Sequence, residues 1–294
     1  MDFDGRKNLG VPNSEIHDFI KNKINDKYLY DSEIVKKFVT TYFEWIKSST
    51  LNNLKGIEDF NQLSFSSGTS QSFDFFFASY KNCRMRCFKG DFLYHQLSWR
   101  NNYKNWKFLE EDEIREEDAV IISLPFSDFG SEHPETIIVL KTCEKLNVPV
   151  LIDCAYYSIC RNLNFNLNFN CIKELCFSMS KAFYGTHRLR IGLRCKKEFS
   201  DDPLDVINSM EMLPKISAGI GYEICKNFSP DYNHNKYRKK QLQICKNLNI
   251  EPSDCVIYGI TDKNHKRFGD FDRGSRWRRV CISELLGDMR YNEK

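Results

Sequence analysis

The sequence has none of the long apolar segments that would place it in a membrane. No apolar run approaches the ~18–20 residues that a membrane-spanning helix needs, and the first ten residues, MDFDGRKNLG, are acidic, basic and polar. Such an N-terminus is not a secretory signal peptide. We therefore expect no membrane partner and no export.

A strong charge bias is also missing. The 43 lysines and arginines nearly balance the 40 aspartates and glutamates, which gives a formal net charge of +3. This excess is too small to indicate nucleic acid as the main partner. Hydrophobic residues make up 41% and charged residues 28% of the 294 positions. These values are typical of a globular protein with room for one large and one smaller domain.

Patterns for metal binding and disulfides are absent as well. The twelve cysteines include no CxxC pair, and Cys83/Cys87 and Cys154/Cys160 have no partner pair at zinc-ligand spacing. The histidines show no metal spacing either. Since the chain is long and has no export signal, we interpret the cysteines as reduced residues, many of them in the core. We expect no metal and a reducing, cytoplasmic compartment.

Short apolar runs and helical periodicities alternate along the first two thirds of the chain. Helical patterns cover residues 33–47 and 135–146, with Ser131 as a predicted cap of the second helix. Strands that alternate with helices predict a layered α/β domain, whose ligands gather at the carboxyl ends of the strands. The runs that predict buried strands are QLSFSS (62–67), CRMRCF (83–88), AVIISLPF (119–126), VPVLIDCAY (148–156) and ELCFSMS (174–180).

The character of the sequence changes from about Leu204 to helices and short strands, with a turn at 251–253. Periodicity does not decide between loop and strand for residues 161–170. We predict a large domain over about 35–195, and a smaller domain built from 1–34 together with 196–294.

The most informative segment is SMSKAFYGTHRLRIG (178–192), just after a predicted strand. A lysine among hydroxyls and followed by arginines suits a Schiff base with an aldehyde cofactor. Ser178, Ser180 and a following arginine could bind a phosphate on that cofactor. Taken alone, Lys181 is more simply explained as an exposed lysine in a basic turn.

A second candidate, DCAYY (153–157), ends another predicted buried strand. A buried carboxylate is costly unless it is paired, and the protonated nitrogen of a pyridine ring is one such partner. Tyr156 could donate a hydrogen bond to the phenolic oxygen of the same ring. The alternative for Asp153 is an ordinary strand-end aspartate that caps a loop.

Together, Asp-x-Ala-Tyr, Ser-x-Ser-Lys and Arg-Ile-Gly resemble, in order and spacing, the aspartate-aminotransferase family of fold-type I pyridoxal-phosphate (PLP) enzymes. The family pattern finds matches from about Asn8 to Ser283. The resemblance implies an α/β fold with a large, mainly parallel sheet and a small α+β domain. It also implies an aminotransferase with PLP on Lys181, an amino acid or related amine as donor and a keto acid as acceptor. The chain is unusually short for the family.

The resemblance also implies roles for further residues and a homodimer. On strand geometry, Arg279 faces inward with apolar neighbours, while Arg276 and Arg278 face solvent or the domain surface. The alternative is that the strand begins elsewhere and Arg278 is the inward residue. The implied residues are Ser67, Gly68 and Thr69 in a phosphate loop, Phe92 stacked on the cofactor with His95 nearby, Arg190 (or Arg188) on the phosphate, Arg279 on the substrate carboxylate, Gly10 in a loop over the substrate, and Tyr30 (or Tyr28) reaching the phosphate of a second subunit.

One departure concerns the family's Asn-Pro-x-Gly segment, which here reads FSDFG (126–130). Ser127 takes the place of the asparagine and Asp128 that of the proline. Because serine is shorter, its contact with the cofactor's phenolic oxygen is predicted to be lost, bridged by water, or made by Tyr156 alone. A PLP-dependent lyase, decarboxylase or racemase, and a non-catalytic binding protein of the same fold, remain as alternatives.

Overall fold

The computed structural model describes residues 3–96 and 105–291. The helices are α1 (Ser14–Lys23), α2 (Lys27–Tyr30), α3 (Ile34–Lys47), α4 (Thr69–Ser79), α5 (Thr136–Leu146), α6 (Thr186–Leu189), α7 (Pro203–Ser209), α8 (Lys215–Asn227), α9 (Tyr232–Leu248) and α10 (Ser283–Leu286). The strands are β1 (Asn53–Lys55), β2 (Gln62–Ser67), β3 (Arg84–Cys87), β4 (Trp106–Phe108), β5 (Asp118–Ser123), β6 (Val150–Asp153), β7 (Asn164–Asn166), β8 (Ile172–Ser178), β9 (Ile191–Lys196), β10 (Glu251–Pro252), β11 (Tyr258–Thr261) and β12 (Arg278–Cys281).

A seven-stranded sheet in the order β2-β9-β8-β6-β5-β3-β4 forms the centre of the fold. Strand β9 is antiparallel to β2 and β8, and the other neighbours are parallel. Every residue of β5 and β6 is buried, as expected for strands covered on both faces. The expected α/β class with a large, mainly parallel sheet is confirmed, and each of the five predicted strand runs overlaps an observed strand.

The register of this sheet brings several strand ends to one edge. Ser123 at the end of β5 pairs with Asp153 at the end of β6, and Asp153 pairs with Cys176 of β8. At the antiparallel pair, Ser67 at the end of β2 lies beside Ile191 at the start of β9. The segments that follow or precede these residues therefore converge at the carboxyl edge of the parallel strands.

The helix predictions hold except for one cap. Helices α3 and α5 correspond to the predicted 33–47 and 135–146 helices. Ser131 does not cap α5, because a turn closed by Thr136 N and His133 O separates the two, and the N-cap is Glu135. Over the described ranges, no helix has the length and apolar character needed to cross a bilayer.

Two segments of uncertain or mispredicted type form short strands. Within 161–170, for which the sequence left loop and strand open, β7 forms a strand that pairs in parallel with β1. The predicted turn at 251–253 begins instead with β10, an edge strand of the antiparallel sheet β10-β11-β12. None of the twelve cysteines forms a disulfide, and all but Cys83 and Cys225 are buried.

Helices α3 and α8 pack closely on one side of the large sheet. A Cβ atom at Gly221 of α8 would lie 2.4 Å from the ring of Phe38 of α3, so only glycine permits this approach. The two helices belong to the predicted large and small domains respectively. The domain boundaries themselves remain a prediction.

A buried ion cluster joins β3 to β5. Arg84 Nε lies 2.6 Å from Asp118 Oδ1, and Arg86 Nη1 lies 2.6 Å from Asp118 Oδ2. Arg86 and Asp118 are fully buried. Removal of the shared carboxylate would leave the buried Arg86 without its carboxylate partner and Arg84 with Asp112 alone, which is costly for charges away from water.

We expect Asp118→Ala to lower the free energy of unfolding by about 3–5 kcal/mol, the scale for breaking a buried ion pair. Asp4→Ala, which removes an exposed partner of Arg6, is the matched control and should have little effect. Urea unfolding of both variants measures the difference. Equal stabilities for the two variants would contradict the structural role given to Asp118.

Candidate functional site

A cavity of about 250 Å³ opens where the ends of β5, β6 and β8 meet. Nine of the residues proposed from the sequence line it: Thr69, Phe92, Ser127, Asp153, Tyr156, Ser178, Ser180, Lys181 and Arg190. The sequence analysis missed five others: Ser70, Tyr94, Ser123, Pro125 and Ala155. Most of the missed residues are direct sequence neighbours of predicted ones, so a wider window around each motif would have found them.

Lys181 lies three residues after β8, in a turn that Ala182 N and Phe183 N close on Met179 O. Its Nζ donates a hydrogen bond to the backbone oxygen of Asn8. Burial lowers the pKa of Lys181 to about 8, and the positive charge of Arg279 shifts this pKa in the same direction. The amine is therefore neutral more often than an ordinary lysine near neutral pH, which a nucleophilic amine requires.

Asp153 ends β6 with a side chain that is almost completely buried. Ala155 N donates to its Oδ1 over 3.0 Å. Burial, followed by the like charge of Asp91, raises the pKa of Asp153 to about 8. A cationic nitrogen placed in the cavity at this carboxyl would favour the ionised form and offset the cost of its burial.

A fully buried histidine lies between two carboxyl groups, one of which lines the cavity. His95 Nδ1 lies 3.8 Å from Asp91 Oδ2, and His95 Nε2 lies 3.8 Å from Asp153 Oδ2. Neither ring nitrogen has a hydrogen-bond partner among the described residues, and burial lowers the pKa of the imidazole. Ser123 holds Asp91 through its backbone N–H and its hydroxyl. Sequence reasoning did not single out Asp91, four residues before His95.

An arginine and a helix N-terminus lie at the other end of the cavity. Arg190 Nη2 donates to Ser67 O over 3.0 Å and to Ser70 Oγ over 2.6 Å. A Cβ atom at Gly68 would lie 2.6 Å from the same guanidinium nitrogen, so Gly68 leaves the room that Arg190 occupies. The N-terminus of α4 begins at Thr69 and adds the positive end of a helix dipole.

Of the two candidate phosphate arginines, the geometry favours Arg190. Its backbone has φ 54°, and its side chain lies on the cavity wall. Both arginines are exposed, but Arg188 lies on the wall of a different groove, with His17 and Tyr184. Ser178 Oγ donates to Ser180 Oγ over 2.9 Å, which places two hydroxyls on the wall that also carries Arg190.

Arg279 is turned into the protein, as its place on the predicted strand indicated. Its Nη1 donates to Ser127 O over 2.5 Å, and its guanidinium lies 4.8 Å from the centre of the Tyr258 ring. The Nε atom is buried and has no hydrogen-bond partner among the described residues. Nearby Tyr258, Cys281 and Tyr156 help to hold the pKa of Arg279 above its usual range despite burial.

The expectation that Arg278 faces solvent is wrong. Arg278 is as buried as Arg279. It donates to Gly269 O over 2.8 Å and to Ser275 O over 2.9 Å, and its Nη2 lies 3.1 Å from Asp272. The loop between β11 and β12 folds over this face of β12 and supplies these acceptors, so both faces of the strand are covered. Arg276 is exposed, as expected.

No family model and no curated protein matches the sequence. Solved structures match over nearly the whole chain. The alanine aminotransferase from Pyrococcus furiosus is 14% identical with a TM-score of 0.66, over 96% of this chain and 85% of that one. The histidinol-phosphate aminotransferase from Clostridium acetobutylicum is 14% identical with a TM-score of 0.62, over 95% and 94%. A PLP-bound C-S lyase from Staphylococcus hominis is 12% identical with a TM-score of 0.64, over 93% and 81%.

The chain has the fold-type I fold. The similarity at these identities is one of fold, and it agrees with the architecture that the sequence resemblance implied.

Ser127 and Asp128, which stand where the family pattern has Asn and Pro, both contact neighbouring loops. Ser127 Oγ donates to Gly90 O over 3.3 Å. Asp128 is buried, accepts a hydrogen bond from Ser275 Oγ, and lies 3.1 Å from Arg273 Nε. Burial raises the pKa of Asp128, and the hydrogen bond from Ser275 opposes that rise. The Ser127 hydroxyl is thus directed at a backbone carbonyl, even though the residue lines the cavity.

Several residues proposed from the sequence do not line the cavity: Gly10, Tyr30, Ser67, Gly68, His95 and Arg279. Gly10 packs against the turn of Lys181, since its Cβ would lie 3.3 Å from Lys181 O. Tyr30 is 83% exposed, whereas Tyr28 is 4% exposed and its hydroxyl donates to Glu223 over 3.4 Å. Tyr30 is therefore the tyrosine of the two that a second fold-type I subunit could contact, and that role stays a prediction.

The raised pKa of Asp153 predicts a specific effect of pH on the cofactor-free protein. A carboxyl whose folded-state pKa is raised contributes stability at low pH that is lost as the pH rises through the folded pKa, here about 8. Asp153→Asn removes this loss. We expect the stability of Asp153→Asn relative to the parent to increase between about pH 5 and about pH 8.

Urea unfolding of cofactor-free parent and variant at both pH values measures this difference, with the exposed Asp4→Asn variant as control. A difference that stays constant or shrinks as the pH rises would show that Asp153 is not held in the protonated form.

Proposed function

We propose that the protein is a PLP-dependent aminotransferase that uses an amino acid or related amine as donor and a keto acid as acceptor. One observation carries this proposal. A lysine amine with a lowered pKa and a buried carboxyl with a raised pKa line one cavity, together with the arginine of an anion cradle. The fold and the PLP-bound lyase among its structural matches support the same cofactor.

The residues of the cavity fit each part of this cofactor. Arg190, Ser178, Ser180 and the N-terminus of α4 would hold the phosphate. Asp153 would pair with the ring nitrogen, and Phe92 would supply an aromatic contact. Bound PLP supplies an electron sink for negative charge that develops on the substrate's Cα.

Lys181 performs two tasks in this proposal. Its Nζ would hold the cofactor, and its free amine would accept a proton from the substrate's Cα. A pKa of about 8 leaves part of the Lys181 amine neutral near neutral pH. This neutral fraction can act as a base, whereas an ordinary lysine would need a higher pH to lose its proton. Asp153 would keep the ring nitrogen protonated, and Tyr156 would donate to the phenolic oxygen.

Arg279 would hold the α-carboxylate of the substrate. A guanidinium binds a carboxylate through two parallel hydrogen bonds, and Arg279 Nε is buried with no partner among the described residues. An anionic ligand would give this atom a hydrogen bond. The requirement for a carboxylate makes an amino acid the preferred donor over a simple amine.

A PLP-dependent lyase is the second candidate, because the C-S lyase matches the fold as well as the aminotransferases do. Decarboxylation and racemisation would use the same cofactor chemistry. The products distinguish these reactions: an aminotransferase converts an added keto acid to an amino acid, whereas a lyase releases a fragment of the substrate without an acceptor.

We also propose a homodimer, for which the exposed apolar side chains of Ile24, Leu29 and Tyr30 are available. Light scattering that gave a monomeric mass for the cofactor-loaded protein would contradict it. The cytoplasmic location stays an expectation.

To test the proposed function, the cofactor-loaded protein is mixed with single amino acids, and the change in cofactor absorption and the amino-acid product from a keto acid are followed. We expect turnover with at least one amino acid. Arg279→Ala should retain PLP but lose roughly 2–5 kcal/mol in kcat/KM for that donor, the scale for truncating one partner of a buried charge pair.

Arg278 is the matched control for Arg279, because it is a neighbouring arginine that is buried to the same extent. Because Arg278 holds backbone carbonyls, Arg278→Ala should lower stability more than it alters donor recognition in the folded fraction. Retention of PLP without turnover of any amine would argue for a binding protein instead. Unchanged kcat/KM in Arg279→Ala would show that the substrate is not held by its carboxylate here.

A further inference from the structure

The N-terminal loop before α1 places one asparagine among the groups of the cavity. Asn8 Nδ2 donates to the hydroxyl oxygen of Tyr156 over 2.6 Å. The hydroxyl of Tyr258 donates to Asn8 Oδ1 over 3.0 Å. The backbone oxygen of Asn8 accepts the hydrogen bond from Lys181 Nζ. Asn8 therefore contacts the lysine and two tyrosines at once, from a part of the chain far from all three.

The direction of these hydrogen bonds determines which role the Tyr156 hydroxyl has in them. Tyr156 accepts from Asn8, so its own O–H is not used in that contact and is left to donate elsewhere. The Tyr156 side chain lines the cavity. The series from Tyr258 through Asn8 to Tyr156 is thus a row of hydrogen bonds that all point toward the cavity.

The same residues explain how the chain can function with a serine at position 127. The Ser127 hydroxyl is directed at Gly90 O, so it offers no second donor of the length that an asparagine would provide. Hydrogen bonds in a row polarise one another and strengthen the last donor, and this effect is larger away from water. An amide that donates to the Tyr156 oxygen therefore makes the Tyr156 O–H a stronger donor.

We propose that Asn8 is a positioning residue that orients and strengthens the hydrogen bond from Tyr156 to the cofactor's phenolic oxygen, in place of the asparagine that Ser127 replaces. The inference rests on the proposed function, because it requires PLP on Lys181. It adds a residue of this chain's N-terminal loop to the set that tunes the cofactor.

The inference has a spectroscopic consequence. A strong donor at the phenolic oxygen withdraws negative charge from that oxygen, which then holds the neighbouring proton on the Lys181 nitrogen less tightly. Loss of Asn8 weakens the donor, so the proton should be held more tightly. The pH midpoint at which the visible absorption of the cofactor-loaded protein changes should therefore rise.

The test is a pH titration of the visible absorption of cofactor-loaded parent, Asn8→Ala, and Asn8→Ala combined with Ser127→Asn. We expect the midpoint of Asn8→Ala to lie about one pH unit higher, a tenfold tighter hold on the proton. Ser127→Asn restores a direct amide donor and should move the midpoint back toward that of the parent. Asn13→Ala is the control, because Asn13 donates to a tyrosine outside the cavity, Tyr237.

A double-mutant cycle with Tyr156→Phe identifies the path of the effect. If Asn8 acts through Tyr156, Asn8→Ala should add little to the midpoint of Tyr156→Phe. An unchanged midpoint in Asn8→Ala, or a shift equal to that of Asn13→Ala, would overturn the inference. Failure of the parent itself to take up PLP on Lys181 would instead refute the proposed function, so the two failures are distinguishable.

Discussion

Burial of the Asp153 carboxyl at the end of β6 is the constraint on which the site depends. Removing an ionised carboxyl from water costs several kcal/mol per ion. The nearby like charge of Asp91 further disfavours the ionised form of Asp153. The carboxyl therefore favours its protonated form at neutral pH, as its raised pKa expresses. A cationic ring nitrogen would reverse this preference. The buried carboxyl therefore favours a positively charged partner at this wall of the cavity.

The lysine is subject to the same burial with the opposite sign. Burial and Arg279 favour the neutral amine of Lys181, so the acid and the base that line this cavity both tend toward their uncharged forms. Parallel pairing of β6 with β8 sets the relative position of Asp153 and Lys181. Asp153 pairs with Cys176 of β8, and Lys181 lies three residues after the end of β8. A cofactor that bonds to the amine and places a cation at the carboxyl satisfies both groups.

Much of this could be predicted from the sequence because it is encoded locally. The strand β2 and the helix α3 follow directly from hydrophobic patterns. Asp153 is the last residue of one buried strand, and Lys181 lies three residues after another. Motif spacing could relate the two segments because consecutive strand ends of a parallel sheet converge.

The rest required contacts between distant parts of the chain. Asn8 and Tyr156 are 148 positions apart, and Asn8 and Tyr258 are 250 apart, so no window of sequence displays their hydrogen bonds. Arg278 was misplaced because strand alternation describes two faces but not the loop that covers one of them. Asp91 was missed because its effect on Asp153 is a through-space charge and leaves no pattern in the sequence.

The most direct test of the central claim is borohydride reduction of the PLP-treated protein, followed by peptide mapping. The account predicts one stable cofactor adduct, on Lys181, and its loss in Lys181→Ala, while Lys89→Ala keeps it. An adduct on another lysine, or none with PLP in excess, would contradict the assignment of this cavity to the cofactor.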